Sequence, residues 1–122
     1  MANYKGEGQV LHEVGEWLQS KSFFFWRCNN IPAAGRKLGV YRTLPKYTPA
    51  GLPDFVVVLN GRTVGIECKR AASEDREPNG RKIRAGALSQ DQINFAIALE
   101  SAGGAYAVVH SSKEAEDFFN KL

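Results

Sequence analysis

Cysteine is scarce in this chain: Cys28 and Cys68 are the only two among 122 residues. So placed, they form neither a metal-binding pair nor a disulfide framework, which implies a reduced, intracellular and cytoplasmic protein with both thiols as small apolar core groups. Long apolar runs are missing too, which excludes a membrane span, and the opening MANYKGEGQV lacks the pattern of a secretory signal. Repeats and low-complexity tracts are also absent. Acidic residues vanish from one long stretch, since none occurs between Trp17 and Pro53. That stretch carries Lys21, Arg27, Arg36, Lys37, Arg42 and Lys46, with Asn29, Asn30, Tyr41 and Tyr47 among them. The net charge is only +3, yet cations concentrated in this way suit a polyphosphate partner. A second basic group, Arg70, Arg76, Arg81, Lys82 and Arg84, is diluted by Glu74, Asp75 and Glu77.

What is present describes an ordinary globular chain. Hydrophobic residues make up 43% and charged residues 24%, and the length suits one domain over residues 1–122 with one modest core. Val10, Leu11, Val14, Trp17 and Leu18 recur at helical spacing and predict a first helix over about Glu7 to Gln19. Glu7 shares the apolar face of that helix, whereas Glu13 and Glu16 are expected to point to water. SFFFWRC reads as a strand, well buried because it is aromatic on both faces, with one face available to a dimer. The long Gly/Pro-rich connection to Pro53 is of a length that is functional or mobile. GLPDFVVVLNGRTVGIECKR then reads as a hairpin: a strand over Asp54–Leu59, an Asn60-Gly61 turn, and a strand over Arg62–Lys69. Residues 71–87 read as an exposed flexible loop. A helix beginning at SQDQ runs to about Ser101 and stops at Gly103-Gly104. AYAVVH is a last strand, and SSKEAEDFFNKL a terminal helix with Ser111 and Glu114 in capping-box positions. His12 and His110 stand alone and read as structural or exposed. The order is α-β-β-β-α-β-α, an α/β chain.

The chemistry lies in the hairpin. Val64, Ile66 and Cys68 share the core face of its second strand, while Glu67 and Lys69 share the other, which Gly65 leaves open. Counting outward from Asn60-Gly61 sets Asp54 opposite Glu67. Two carboxylates and an ammonium therefore meet at one sheet end. Neighbouring carboxylates repel and call for a cation, and an all-oxygen set suits Mg²⁺ or Mn²⁺. A lysine beside such ligands can orient an attacking water or stabilise developing charge, and Glu7 is placed to add a third carboxylate. As alternatives, Glu7 can serve the helix dipole and Asp54 can be a turn residue.

These motifs resemble the PD-(D/E)xK nuclease superfamily in Pro53-Asp54 and Glu67-Cys68-Lys69. More widely the chain resembles the VRR-NUC (virus-type replication-repair nuclease) family. Glu7 matches the glutamate that opens helix one, and Arg27, Asn29 and Asn30 match an R-x-N after the first strand. Gly51-Leu52-Pro53-Asp54 matches G-x-PD, and Gly65-Ile66-Glu67-Cys68-Lys69 matches G-x-E-x-K. Leu88-Ser89 and Gln92, with Gly103-Gly104 after the helix, complete the order. The resemblance implies a restriction-endonuclease-like core, a mixed central sheet flanked by helices, and metal-dependent DNA cleavage. It implies metal ligation by Asp54, Glu67, Glu7 and the Cys68 carbonyl, with Lys69 and Gln92 supporting the water. For Gln92 the alternative is a capping box with Ser89. The resemblance further implies a homodimer, branched DNA such as Holliday junctions, and a viral or bacterial-type origin. Candidate DNA contacts are Arg27, Asn29, Asn30, Arg36, Lys37, Arg42, Lys46 and Arg70. A sequence-specific restriction-type endonuclease and a catalytically silent nucleic-acid-binding module stay open beside this reading.

Overall fold

Apolar residues at helical spacing form α1 (Glu7–Ser20) as expected, with Val10, Val14 and Leu18 buried along one face. Each of those burials contributes roughly 1.5–3 kcal/mol. The computed structural model describes residues 5–28, 45–76 and 79–122. A short strand, β1 (Phe24–Arg27), follows, then the hairpin of β2 (Phe55–Leu59) and β3 (Arg62–Cys68). Asn60 and Gly61 both take positive φ, 53° and 79°, the conformation that a two-residue hairpin turn requires. That turn fixes the register: Leu59 pairs with Arg62 and Phe55 with Ile66.

β4 (Ser73–Arg76) and β5 (Lys82–Ile83) pair with each other as a separate two-stranded ribbon. Then come α2 (Gln90–Ser101), β6 (Ala105–Val109) and α3 (Ser112–Asn120). The main sheet has the order β1-β2-β3-β6, antiparallel except for the parallel β3–β6 pair. Parallel neighbours need a crossover, and α2 lies within it. The fold is thus mixed α/β: a four-stranded mixed sheet and three helices among the described residues.

The core sits on one sheet face. Val57, Val64, Ile66 and Cys68 meet Val10, Val14 and Leu18 of α1 and Ala115 and Phe119 of α3. Trp17, Phe23 and Phe119 close its edge with ring centroids 5.0–5.8 Å apart. α2 takes the opposite face, setting Leu99 over Gly65 and Phe95 near the Tyr106 ring. Among the described residues, no helix is long and apolar enough to cross a membrane.

Four expectations need correction. The 71–87 segment contains the β4–β5 ribbon, anchored by buried Ile83, so the element order has two more strands than α-β-β-β-α-β-α. Among the described residues β1 is an edge strand, and Phe24 and Trp26 are 69% and 46% exposed, because no described element covers their side of β1 while Phe23 and Phe25 turn to the core. The Gly65 face is filled, not open: a Cβ there would meet Leu99, Pro53 and Tyr106 atoms, each at 3.2 Å. Glu13 does not simply face water. Its carboxylate accepts a 2.7 Å hydrogen bond from the Ser112 amide, at the positive end of α3, and pairs with Lys5. Those two partners hold the Glu13 carboxyl below its ordinary pKa.

Candidate metal centre

The register that the hairpin turn sets carries Asp54, one residue before β2, to the level of Glu67. Asp54 Oδ2 accepts a 2.8 Å hydrogen bond from the Cys68 amide, so the end of β3 fixes this carboxylate. The Asp54 carbonyl in turn accepts 2.9 Å from the Cys28 amide, which ties the site to the end of β1. Arg27 on β1 brings a guanidinium nitrogen to 4.0 Å from Asp54 Oδ1.

Glu67 is the buried member, 3% exposed. Its Oε2 accepts 2.9 Å from Gln92 Nε2 and lies 3.4 Å from Lys69 Nζ. Its Oε1 is buried with no hydrogen-bond partner among the described residues. Lys69, its side chain 12% exposed, also reaches Glu7 Oε1 at 3.5 Å. Glu7, at the first turn of α1, completes the group: Glu7, Asp54 and Glu67 each offer a carboxylate oxygen within 4.8 Å of the others.

Crowded carboxylates in a poorly solvated place resist ionisation. Burial first, then the charge of Asp54, pushes Glu67 up to about 7, with Lys69 opposing. Asp54 is also raised, chiefly by burial, against the Cys68 hydrogen bond and Arg27. The Cys68 thiol lies on the core face, and burial with the nearby carboxylates pushes it up, which removes it as a thiolate ligand.

Gln92 does two things at once. Its Oε1 accepts 2.9 Å from the Ser89 amide, while Ser89 Oγ accepts 3.2 Å from the Gln92 amide, so the capping box exists. The side-chain carboxamide of Gln92 also donates from Nε2 to Glu67 Oε2. Cap and site contact, expected as alternatives, coexist because they use opposite ends of one carboxamide. Gly51 explains how α2 comes so close: at φ 78° it packs on the Asp91 carbonyl, where a Cβ would lie 2.2 Å from the oxygen.

No family model, no curated protein and no solved structure matches the chain.

Of the candidate nucleic-acid contacts, Arg27 borders the carboxylates, and Lys46 lies with Nζ 5.0 Å from the Tyr47 ring centroid. Arg70 follows Lys69 and donates from Nε to the Arg84 carbonyl at 2.8 Å. Asn29, Asn30, Arg36, Lys37 and Arg42 lie outside the described residues. Sequence reasoning missed Tyr106, whose hydroxyl is buried with no hydrogen-bond partner among the described residues and whose ionisation is disfavoured by burial and by Glu67. Its signal was its place in an otherwise apolar strand. His110 is not isolated; its Nδ1 lies 2.8 Å from Glu114 Oε1. Glu114 is thereby drawn away from Ser111, so only the Ser111 half of that capping box forms.

Proposed function

We propose that this chain is a metal-dependent nuclease of the PD-(D/E)xK type, of VRR-NUC kind, that hydrolyses DNA phosphodiester bonds. The observation that carries the reading is Glu67: a buried carboxylate with one unpartnered oxygen, held beside Asp54 and Glu7. A buried carboxylate oxygen without a partner is costly, and a divalent cation is the partner that an all-oxygen donor set fits. Among the described residues three carboxylates face Lys69 and Arg27 alone, so the residues present suit Mg²⁺ or Mn²⁺. Asp54, Glu67 and Glu7 would hold the ion, with the Cys68 carbonyl as a further ligand. Bound there, it supplies positive charge that screens phosphodiester oxygens and acidifies a water.

The remaining work falls to the chain. Lys69, fixed between Glu7 and Glu67, aims an ammonium at the carboxylate group and orients the attacking water. Gln92 holds Glu67 Oε2 and thereby its orientation. The Cys68 amide does the same for Asp54. Arg27, Lys46 and Arg70, with Asn29, Asn30, Arg36, Lys37 and Arg42 from the basic stretch, contact the phosphate backbone. The β1-β2-β3-β6 sheet with helices on both faces supports a restriction-endonuclease-like core. The substrate class is branched DNA, cut by a homodimer; exposed Phe24, Trp26, Ile93 and Ile97 supply apolar surface for a second copy.

The test incubates the protein with four-way junction, flap, single-stranded and linear duplex DNA in Mg²⁺, Mn²⁺ or EDTA. Lys69→Ala and Asp54→Asn proteins run alongside. Paired junction cuts that need the metal and vanish in both variants are expected. Cutting only at one sequence in linear duplex would replace structure selectivity with restriction-type specificity. A folded wild type that binds DNA and cuts nothing would remove the enzyme reading.

A further inference from the structure

Beside the carboxylates lies a different kind of place. Residues at and beside β5, together with Arg70, wall a cleft of about 490 Å³. Its lining among the described residues is Arg70, Arg81, Lys82 and Arg84, all cationic. Among the described residues, Arg70, Arg81 and Arg84 make no ion pair. Like charges gathered in one concavity repel, and side chains on an ordinary solvated surface would spread apart.

The backbone holds them together instead. Ile83 is buried and anchors β5 between Lys82 and Arg84. Arg70 Nε is fixed on the Arg84 carbonyl, and the Gly86 amide donates 2.9 Å to the Arg70 carbonyl. Gly86 also packs on the Lys69 stem, so close that a Cβ there would be 3.3 Å from Lys69 Cβ and Cδ. The cleft is therefore built onto the residue that reaches Glu7 and Glu67. Arg70 is the next residue in the chain after Lys69, so the cleft and the carboxylate group share one stretch of backbone.

We infer that the Arg70–Arg81–Lys82–Arg84 cleft is a subsite for backbone phosphates of the DNA strand whose scissile bond lies at the metal centre. This rests on the proposed nuclease reading for the identity of the polyanion, and it deepens that reading. The ribbon becomes a grip on the strand flanking the cut. Guanidinium forks in a concave wall suit phosphate oxygens bidentately and read no base, so the subsite adds affinity without sequence preference.

The experiment measures anisotropy of labelled duplex and four-way junction in EDTA, where no hydrolysis competes, across a salt series. Wild type is compared with Arg81→Gln/Arg84→Gln and with Lys113→Gln/Lys121→Gln, which removes the same charge from exposed positions at the two ends of α3. Melting temperatures establish that each variant is folded. Two lost phosphate contacts lower the slope of log K against log salt by about 1.8 on duplex DNA. That loss is expected in the arginine variant and not in the lysine control. Equal slopes in both variants, or no DNA binding by wild type, would overturn the subsite. Displacement of DNA by inorganic phosphate at constant ionic strength would mark a small-anion site and overturn it as well. Metal-dependent cleavage on the same proteins separates the two readings. Cleavage with no arginine-dependent slope sinks the subsite and leaves the nuclease, whereas an arginine-dependent slope without cleavage does the reverse.

Discussion

At the residue scale the tension is greatest at Glu67, which is buried beside two other carboxylates and has one oxygen without a partner among the described residues. Its pKa rises from 4.5 to about 7, so the charged form is disfavoured in the folded state even with Lys69 beside it. The sign follows from proton binding. Between those two values the folded protein holds more protons at Glu67 than the unfolded chain, so metal-free stability falls as pH rises through this window. Above the folded pKa the whole penalty, on the order of 3 kcal/mol, is in place. Glu67→Gln should therefore raise the melting temperature in EDTA at pH 8 by several degrees. Near pH 5, where Glu67 is largely protonated, the gain should nearly disappear. A lower melting temperature for Glu67→Gln at pH 8 would mean that Lys69 and Gln92 satisfy the carboxylate without a metal.

The helices and strands show which local patterns carry enough information. The Asn60-Gly61 turn made the hairpin register countable, so the meeting of Asp54 and Glu67 was legible before any fold was known. Glu7 was legible for a similar reason, because helical spacing puts it on the face that packs against the sheet. Non-local partners were not legible: Glu13 finds the Ser112 amide 99 residues away, and Gly65 is covered by Leu99 from a separate helix. The β4–β5 ribbon was hidden because its sequence has no apolar alternation, with Ile83 alone of its last strand buried. At Gln92 a local motif was right and incomplete. Ser89→Ala should cost about 1 kcal/mol in stability and leave cleavage nearly intact. Gln92→Ala, which also removes the hydrogen bond to Glu67 Oε2, should slow cleavage by roughly 10–100-fold. Equal loss of cleavage in both variants would assign the effect to the start of α2 and not to the contact with Glu67.

Across the whole molecule the same sheet serves two purposes on its two faces. One face carries the core with α1 and α3, and the other carries Asp54, Glu67 and the packing against α2. Burial of β1 was misread because aromatic content does not reveal whether a strand is central or at an edge; Phe24 and Trp26 sit at the edge. Charge was easier to read. The sequence placed its second basic group after Lys69, and the ribbon gathers Arg81, Lys82 and Arg84 there with Arg70. Everything proposed about activity depends on whether Glu7, Asp54 and Glu67 act together as one cation site. The most direct measurement is a Mn²⁺ titration followed by electron paramagnetic resonance on wild type, Asp54→Asn, Glu67→Gln and Glu16→Gln. One class of site is expected in wild type and in Glu16→Gln, with affinity lowered about tenfold or more in the other two. No Mn²⁺ binding by wild type, or equal binding in all four folded proteins, would contradict the metal centre.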